Sequence, residues 1–251
     1  MIRQIKNIIS SFFYSIASLK SGAIKYILIT GFIALLIFGV MIWGAWMLAG
    51  YGASIVAVLT PWQWANESTL LSFIIGLGLI IGFILILKYI LLIALSPLLS
   101  YISEKAEKSL NREYDIRGFS AATSAARSVR INMRNMVKEI FLTILLLIAG
   151  LIPGLNLIAI PLLFIVQAYF TGFGIMDFYL ERHMTFRETL GEVYRHKYAS
   201  IILGGIFMLL FAIPVLGAIV APYFTTVAGT QYFLKNRLNL QPTTYHLKPN
   251  P

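Results

Sequence analysis

The sequence Ile152-Pro153-Gly154-Leu155-Asn156-Leu157-Ile158-Ala159-Ile160-Pro161 is repeated in outline 61 residues later as Ile213-Pro214-Val215-Leu216-Gly217-Ala218-Ile219-Val220-Ala221-Pro222. Both stretches fit the pattern I-P-x-L-x-x-I-x-x-P and lie within long apolar segments flanked by charge. Proline removes a backbone donor and glycine permits a sharp turn, so each stretch interrupts a helix. Within lipid, the freed backbone groups are tolerated only where protein or a wet cavity satisfies them. The repeat therefore predicts two broken membrane helices, which either line a substrate path or form two tight hairpins.

The composition places the chain in a membrane. Hydrophobic residues make up 59% and charged residues 12% of the sequence, against about 45–50% and about 25% in a soluble domain. We therefore predict an all-α integral membrane protein with one membrane domain over residues 1–240 in contact with the lipid bilayer. Residues 241–251 contain three prolines and no apolar pattern, and they are predicted to form a disordered tail.

Residues 1–21 are predicted to form an amphipathic helix in the membrane interface. Arg3 and Lys6 lie outside its apolar stripe, and no small-residue cleavage site follows, so we do not interpret this segment as a cleaved signal peptide. The stripe recurs at steps of three and four residues, at Ile2, Ile5, Ile9, Phe12, Ile16 and Leu19.

Two long membrane-spanning helices are predicted over residues 22–50 and 70–110. The loop between them, Gly50 to Thr69, contains aromatic residues but no Lys or Arg, so it is predicted to face away from the cytoplasm. Lys88 lies inside the second helix. It is either a buried functional cation or a side chain that reaches the membrane boundary, and we favour the second interpretation.

Basic residues indicate the orientation and a second interfacial helix. Four Lys or Arg residues precede the first span and none lies between the two spans, so both termini are predicted to be cytoplasmic. Beyond the second span, an apolar face and an adjacent basic face suit a helix on an anionic leaflet. No nucleic-acid-reading motif accompanies these charges, so nucleic acid is not an expected partner. The apolar face comprises Ala126, Val129, Met133, Met136, Val137 and Ile140, and the basic face comprises Arg127, Arg130, Arg134 and Lys138.

The two hairpin units are predicted over residues 118–180 and 198–238. The arm from Ile140 to Ile152 has 13 residues, about 20 Å of helix, which is too short for about 30 Å of hydrocarbon. Charge flanks both hairpins and is absent from both tips, so we predict re-entrant hairpins that enter and leave on the cytoplasmic side. Their half-depth tips favour homo-oligomerisation, and small residues would allow close helix approach. These small residues are Gly172, Gly174, Gly204, Gly205, Ala228 and Gly229.

Taken together, the paired hairpins, Ser96-Pro97 before an acidic and basic extension, and the segment Gln167 to Phe186 with Asp177 resemble the CysZ sulfate permease family. The resemblance runs from Lys20 to Leu238. It implies a sulfate transporter or channel of the bacterial inner membrane that supplies cysteine synthesis and assembles into oligomers. It also implies an anion site at the start of the first long helix, where Ile24 stands in place of a cation. The candidate residues are Lys20, Ser21, Gly22, Ala23 and Lys25.

Further polar positions are candidates for a pore. Asn156 and Gly217 occupy corresponding positions in the two turns, whereas Gln167 and Gln231 lie on the returning arms and would either line a conduit or bond between helices. Asp177 is predicted to pair with a basic residue of the connector, and it is a proton-coupling candidate only if it is buried. The candidate pore and turn residues are Pro153, Gly154, Asn156, Gln167, Pro214, Gly217 and Gln231.

Enzymatic chemistry has little support in the sequence. The three histidines lack metal-ligand spacing, and no phosphate loop, nucleophile elbow or zinc motif occurs. We therefore expect no enzyme activity, cofactor or metal. The expected function is passage of sulfate through a pore formed by the hairpins. The alternative is a non-conducting scaffold whose half-depth hairpins shape the membrane.

Overall fold

A computed structural model describes residues 2–17, 24–59, 86–110, 121–213 and 216–240. The described chain is helical, as predicted. The helices are α1 (Ile2–Ala17), α2 (Ile24–Leu59), α3 (Ile86–Ala94), α4 (Ser96–Leu110), α5 (Ala121–Gly150), α6 (Asn156–Leu180), α7 (Phe186–Arg195), α8 (Lys197–Phe211) and α9 (Leu216–Leu240). The predicted tail lies outside the described residues.

Helix α1 packs against α8 and α9 through small and polar residues. Ile8, Ser11 and Ser15 are buried against the protein, whereas Ile2 and Ile16 of the predicted apolar stripe are exposed. This arrangement suits a helix that contacts protein on one face and lipid on another. Residues 2–17 thus form a helix, as predicted, and its place in the membrane interface stays a prediction.

Helix α2 is longer than predicted. It continues to Leu59, so the prediction of a loop from Gly50 was wrong for its first ten residues. Gly50 and Gly52 do not end the helix, because glycine is tolerated in membrane helices and the first proline in this region is Pro61. The part from Ile24 to Met41 is apolar enough to span a membrane. Residues 60–85, which include the first part of the second predicted span, lie outside the described residues.

Helices α3 and α4 meet at Leu95 with a bend of 61°, so the long helix predicted over residues 70–110 is broken in its described part. Pro97 is the cause, because it cannot donate a hydrogen bond to the Ile93 carbonyl and its ring crowds that carbonyl. Ser96 Oγ donates to the same carbonyl oxygen at 2.7 Å. The serine thus satisfies the acceptor that proline leaves open.

The first hairpin consists of α5 and α6. Helix α5 is continuous over 30 residues, so the predicted interfacial helix and the short 13-residue arm are one element, and the argument from arm length was wrong. The break follows at residues 151–155, where Gly154 has a φ of +88°. Glycine adopts that backbone conformation without the steric cost that a side chain brings. Helix α6 then returns and is long and apolar enough to span a membrane.

The second hairpin, α8 and α9, packs closely on the first. A Cβ atom at Gly204 would lie 1.9 Å from the Ala168 carbonyl oxygen, and one at Gly172 would lie 1.9 Å from the Ser200 oxygen. Helices α6 and α8 therefore cross with their backbones in contact, as small residues permit. The described residues contain two helices able to span a membrane, or three if α3 and α4 form one bent span. The depth of the hairpins in the bilayer stays a prediction.

Candidate functional site: a buried polar seam

Helix α5 turns a polar face toward the interior of the protein. Its buried side chains recur at three- and four-residue steps, which places them on one face. The predicted apolar face is outside: Val129, Met133 and Val137 are exposed. Their exposure fits the predicted contact with lipid, because a helix in lipid buries its polar side and exposes its apolar side, and the place of this face on an anionic leaflet stays a prediction. The buried polar residues are Ser124, Ser128, Asn132, Asn135, Glu139 and Thr143.

Lys88 of α3 meets this face at Glu139. The ammonium group pairs with one carboxylate oxygen of Glu139, and Tyr89 donates to the other at 2.6 Å. Lys88 also donates to Thr171 of α6 at 3.1 Å. Lys88 is 2% exposed and Glu139 is fully buried, so the interpretation that Lys88 reaches the membrane boundary was wrong. Glu139 was not singled out in the sequence, although an acidic residue directly before the long uncharged run that begins at Ile140 is a recognisable signal.

A second ion pair joins α5 to the end of α6. Arg127 Nη2 lies 2.9 Å from Asp177 Oδ1, and the guanidinium also donates to the Met184 carbonyl at 2.6 Å and to Thr189 at 2.7 Å. Asp177 is buried. Its partner is therefore on α5, whereas we predicted a partner in the connector. The Arg127 guanidinium is therefore engaged inside the protein and does not contribute to the predicted basic face.

Glu181, which follows the end of α6, lies between two hydroxyl groups. Ser100 of α4 donates to its carboxylate, Ser124 of α5 donates at 2.9 Å, and the two serine oxygens are 2.8 Å apart. Burial raises the pKa of Glu181 to about 7, and the negative charge of Asp177 adds to that effect, while the serine hydrogen bonds oppose it. This carboxyl group therefore keeps its proton to a higher pH than an ordinary glutamate.

A third charged group connects the end of α6 to α4. Arg182 Nη2 lies 3.2 Å from Glu107 and 2.7 Å from Ser103, and the His183 ring nitrogen lies 2.8 Å from the other Glu107 oxygen. All of these ionisable side chains are nearly inaccessible. The whole set, from α3 to the end of α6, forms what we call the polar seam. Its ionisable members are Lys88, Glu107, Arg127, Glu139, Asp177, Glu181, Arg182 and His183.

The charges of the polar seam are nearly balanced. Its four carboxyl groups face three permanent cations, and each of those cations already pairs with a carboxylate. One proton on Glu181 makes the set neutral. The seam is therefore not a ready anion site as it stands. Three buried atoms on α5 have no partner among the described residues, and such atoms are normally hydrated. They are Asn132 Oδ1, Asn135 Nδ2 and Thr143 Oγ1.

Of the predicted anion-site residues, the structure describes only Lys25, since Lys20, Ser21, Gly22 and Ala23 lie outside the described residues. Lys25 is exposed, and its ammonium lies 5.1 Å from the centre of the Tyr26 ring. Lys105 of α4 lies 4.6 Å from the same ring centre and donates to the Tyr26 hydroxyl at 2.9 Å. Sequence reasoning missed Lys105, because only the bend in α3 and α4 brings α4 to the start of α2.

The predicted pore residues do not share one environment. Gly154 and Asn156 lie at an exposed, apolar tip, whereas Gly217 is in the first turn of α9, where a Cβ would meet the Leu210 carbonyl oxygen at 2.1 Å. Gln231 is 2% exposed and its Oε1 has no partner among the described residues, while Gln167 is half-buried. Pro153 lies at the same exposed tip as Gly154, and Pro214 lies outside the described residues.

The seam contains no evident metal site. Across the described ranges, no group of three His, Cys, Asp or Glu side chains is placed to hold a metal ion. The carboxylates are instead engaged by Lys, Arg and hydroxyl groups. The arrangement can therefore hold water or exchange a proton, and its opening would require breaking ion pairs.

Comparisons with known proteins agree on one family. The sequence profile described as "Sulfate transporter CysZ/Etoposide-induced protein 2.4" matches residues 7–222. The "Sulfate transporter CysZ" of Pseudomonas aeruginosa strain PAO1 is 28% identical over 145 residues, covering 56% of this chain and 58% of the relative. The protein of the same name from Pseudomonas fluorescens strain Pf-5 is 30% identical over 145 residues, covering 56% of this chain and 57% of the relative.

The match to these curated relatives thus spans less than two thirds of their length, and their printed names describe transporters and not enzymes. The family profile covers most of the chain. The helices also have the length and composition of membrane spans. The chain is a membrane protein, and it belongs to the family described as Sulfate transporter CysZ/Etoposide-induced protein 2.4.

Proposed function

We propose that this protein carries sulfate across the bacterial inner membrane, to supply cysteine synthesis, along a path between α3, α5 and α6. The names of the relatives support the substrate. The observation that carries the proposal is the buried Lys88–Glu139 pair inside the membrane domain. Burying two charges has a large desolvation cost, and ionisable groups within a membrane usually mark a route for ions or substrates.

The polar seam favours transport over a non-conducting scaffold. A scaffold requires only apolar helix contacts and dry hairpin tips, and the exposed tip residues Leu151, Ile152 and Leu155 would serve that role. The interior, however, holds ion pairs together with the partnerless atoms of Asn132 and Thr143. A scaffold gains nothing from these groups, whereas a path for a hydrated dianion uses them as hydrogen-bond partners once the ion pairs open.

The entry site in this proposal is at the start of α2. Lys25 and Lys105 place two positive charges beside Tyr26, which matches the two negative charges of sulfate. The second lysine offsets the absence of a cation at Ile24. Each ammonium acts as a point charge and not as a bidentate clamp, so Lys20, Ser21, Gly22 and Ala23 remain candidate donors near the same helix end.

The arrangement in the membrane completes the proposal. The two hairpins are re-entrant, both termini face the cytoplasm, and several copies assemble so that their hairpin tips are covered. The exposed first tip supports assembly, because backbone groups freed at a half-depth turn meet lipid, which cannot satisfy them, unless protein covers the tip. Lys and Arg residues gathered on one side would attract sulfate there.

Uptake of labelled sulfate into liposomes containing the purified protein tests the proposal. We expect saturable uptake of labelled sulfate. Unlabelled sulfate should inhibit this uptake more strongly than chloride or phosphate does. Lys25→Ala and Lys105→Ala should each reduce uptake several-fold, and the double variant should reduce it further. Lys108→Ala is the matched control, because Lys108 is exposed on the same helix as Lys105 but pairs with Glu104.

The possible outcomes distinguish an error in the entry site from an error in the proposed transport function. Unchanged uptake in both lysine variants would contradict the entry site and leave transport intact. No uptake by folded wild-type protein would contradict transport and favour the scaffold.

A further inference from the structure

Helix α1 presents three different faces. Ile8, Ser11 and Ser15 are buried against the protein. At about 100° per residue, the exposed apolar side chains occupy a second sector, in which Ile2 is 77% and Phe13 65% exposed. A third sector, next to the apolar one, carries the exposed cations Arg3 and Lys6. A helix with these three faces lies at the boundary between acyl chains and lipid headgroups.

Two more cations lie beside the beginning of α1. The Gln4 amide donates to the Arg195 carbonyl at 3.0 Å, which joins α1 to the junction of α7 and α8. The Arg195 side chain is 80% exposed. The Lys197 ammonium lies 5.3 Å and 5.4 Å from the ring centres of Tyr194 and Tyr198. We call Arg3, Lys6, Arg195 and Lys197 the basic corner.

The basic corner has little acidic compensation. Glu192 lies 3.7 Å from Arg195 and is shared with His196 at 3.2 Å. Among the described residues, no carboxylate lies within ion-pair distance of Arg3, Lys6 or Lys197. Tyr194 is 66% exposed next to these charges, and exposed tyrosine is typical of the headgroup region.

We propose that the basic corner binds the phosphate group of an anionic phospholipid in the leaflet where α1 lies. The lipid's acyl chains would run along the exposed apolar sector of α1, beside Ile9 and Phe13. That sector is the reason to choose a lipid over a soluble anion, because free phosphate or sulfate gains nothing from apolar side chains. The site is separate from Lys25, Lys105 and the polar seam, and it does not depend on which solute the protein carries.

Native mass spectrometry of the detergent-solubilised full chain tests this assignment, with phosphatidylglycerol and phosphatidylcholine titrated separately. We expect the wild type to retain phosphatidylglycerol preferentially. A basic residue near an anionic lipid surface contributes enough for about a fivefold change in affinity. Arg3→Gln with Lys6→Gln, and Arg195→Gln with Lys197→Gln, should each lower that preference by about fivefold or more.

The control is Lys108→Gln with Lys138→Gln, which removes two exposed cations elsewhere and should keep the wild-type preference. Equal loss in this control, or no preference in the wild type, would overturn the proposal. Displacement of phosphatidylglycerol by inorganic phosphate would also overturn it, because the ligand would then be a soluble anion. The two double variants lie on different helices, so misfolding of one leaves the other as a test, and unfolding temperatures identify a folded variant.

Discussion

The two proline-containing hairpins share a sequence pattern but have different interiors. In the first, α5 and α6 bury Glu139 and Asp177, which pair with Lys88 and Arg127. In the second, α8 and α9 contain no Asp or Glu. The comparison teaches that the repeated pattern specifies where the chain turns, and that the chemistry is set by residues outside the pattern.

Two buried threonine hydroxyl groups of the second hairpin find an acceptor within their own helix. Thr225 donates to the Ala221 carbonyl at 2.6 Å and Thr230 to the Thr226 carbonyl at 2.9 Å, each within its own helix. Such bonds need no partner from another element. In the first hairpin, by contrast, the Glu139 carboxylate depends on Lys88 of α3 for its counter-charge. We therefore expect the first hairpin to be the more sensitive to single substitutions of polar residues.

The largest expected effect is on the Lys88–Glu139 pair. Glu139→Ala leaves a buried ammonium without its counter-charge, which should lower the free energy of unfolding by about 3–5 kcal/mol. Thr225→Val in the second hairpin removes one local hydrogen bond and should lower it by about 1 kcal/mol. Reversible denaturant unfolding of both variants in one detergent measures the difference.

A companion variant decides whether charge is the cause. Lys88→Met combined with Glu139→Leu replaces both charges with apolar groups and should recover most of the lost stability. If the double variant is as unstable as Glu139→Ala, packing and not charge distinguishes the two hairpins.

The next effect concerns pH, because Glu181 follows the first hairpin and the second has no acidic equivalent. Burial raises the pKa of Glu181 to about 7 from an ordinary value near 4.5. The folded state therefore binds this proton more tightly than the unfolded state. The stabilisation from this proton is complete below about pH 4.5 and is lost as pH rises through about 7. In the wild type, the free energy of unfolding should therefore decline by up to about 3 kcal/mol between about pH 5 and pH 8. Glu181→Gln should remove this decline.

Unfolding temperatures across that range measure this decline, and Glu188→Gln is the control. Glu188 is exposed, and hydrogen bonds from Thr185 lower its pKa. Its contribution is therefore present at neutral pH and is lost only as pH falls below its ordinary range. An unchanged pH profile for Glu181→Gln would show that this carboxyl group does not titrate in the window.

A smaller effect is expected where the two hairpins touch. Gly204→Ala places a Cβ 1.9 Å from the Ala168 carbonyl oxygen, so α6 and α8 must move apart. Overpacking of this kind costs about 1–3 kcal/mol. The adjacent Gly205→Ala meets nothing closer than Phe164 at 3.8 Å and should be nearly neutral. Equal loss of unfolding free energy in both variants would show that helix propensity, and not the contact between hairpins, is responsible.

Much of the fold follows from the sequence, because proline, glycine and hydropathy act locally. The turn at Gly154 and the close approach at Gly172 and Gly204 were predicted from residue type. The polar seam was not, because its partners are far apart in the chain: Lys88 and Glu139 are brought together only when α3 packs on α5.

Glycine at the two turns offers the finest test of the comparison, because each turn needs glycine for a different reason. Gly154 has a φ of +88° and open space around it, whereas a Cβ at Gly217 would lie 2.1 Å from the Leu210 oxygen. Gly154→Ala should therefore cost about 1 kcal/mol of unfolding free energy. Gly154→Asn should cost less, because asparagine tolerates that conformation, but Gly217→Asn should be no better than Gly217→Ala. A rescue by asparagine at both positions, or at neither, would mean that the two turns are alike after all.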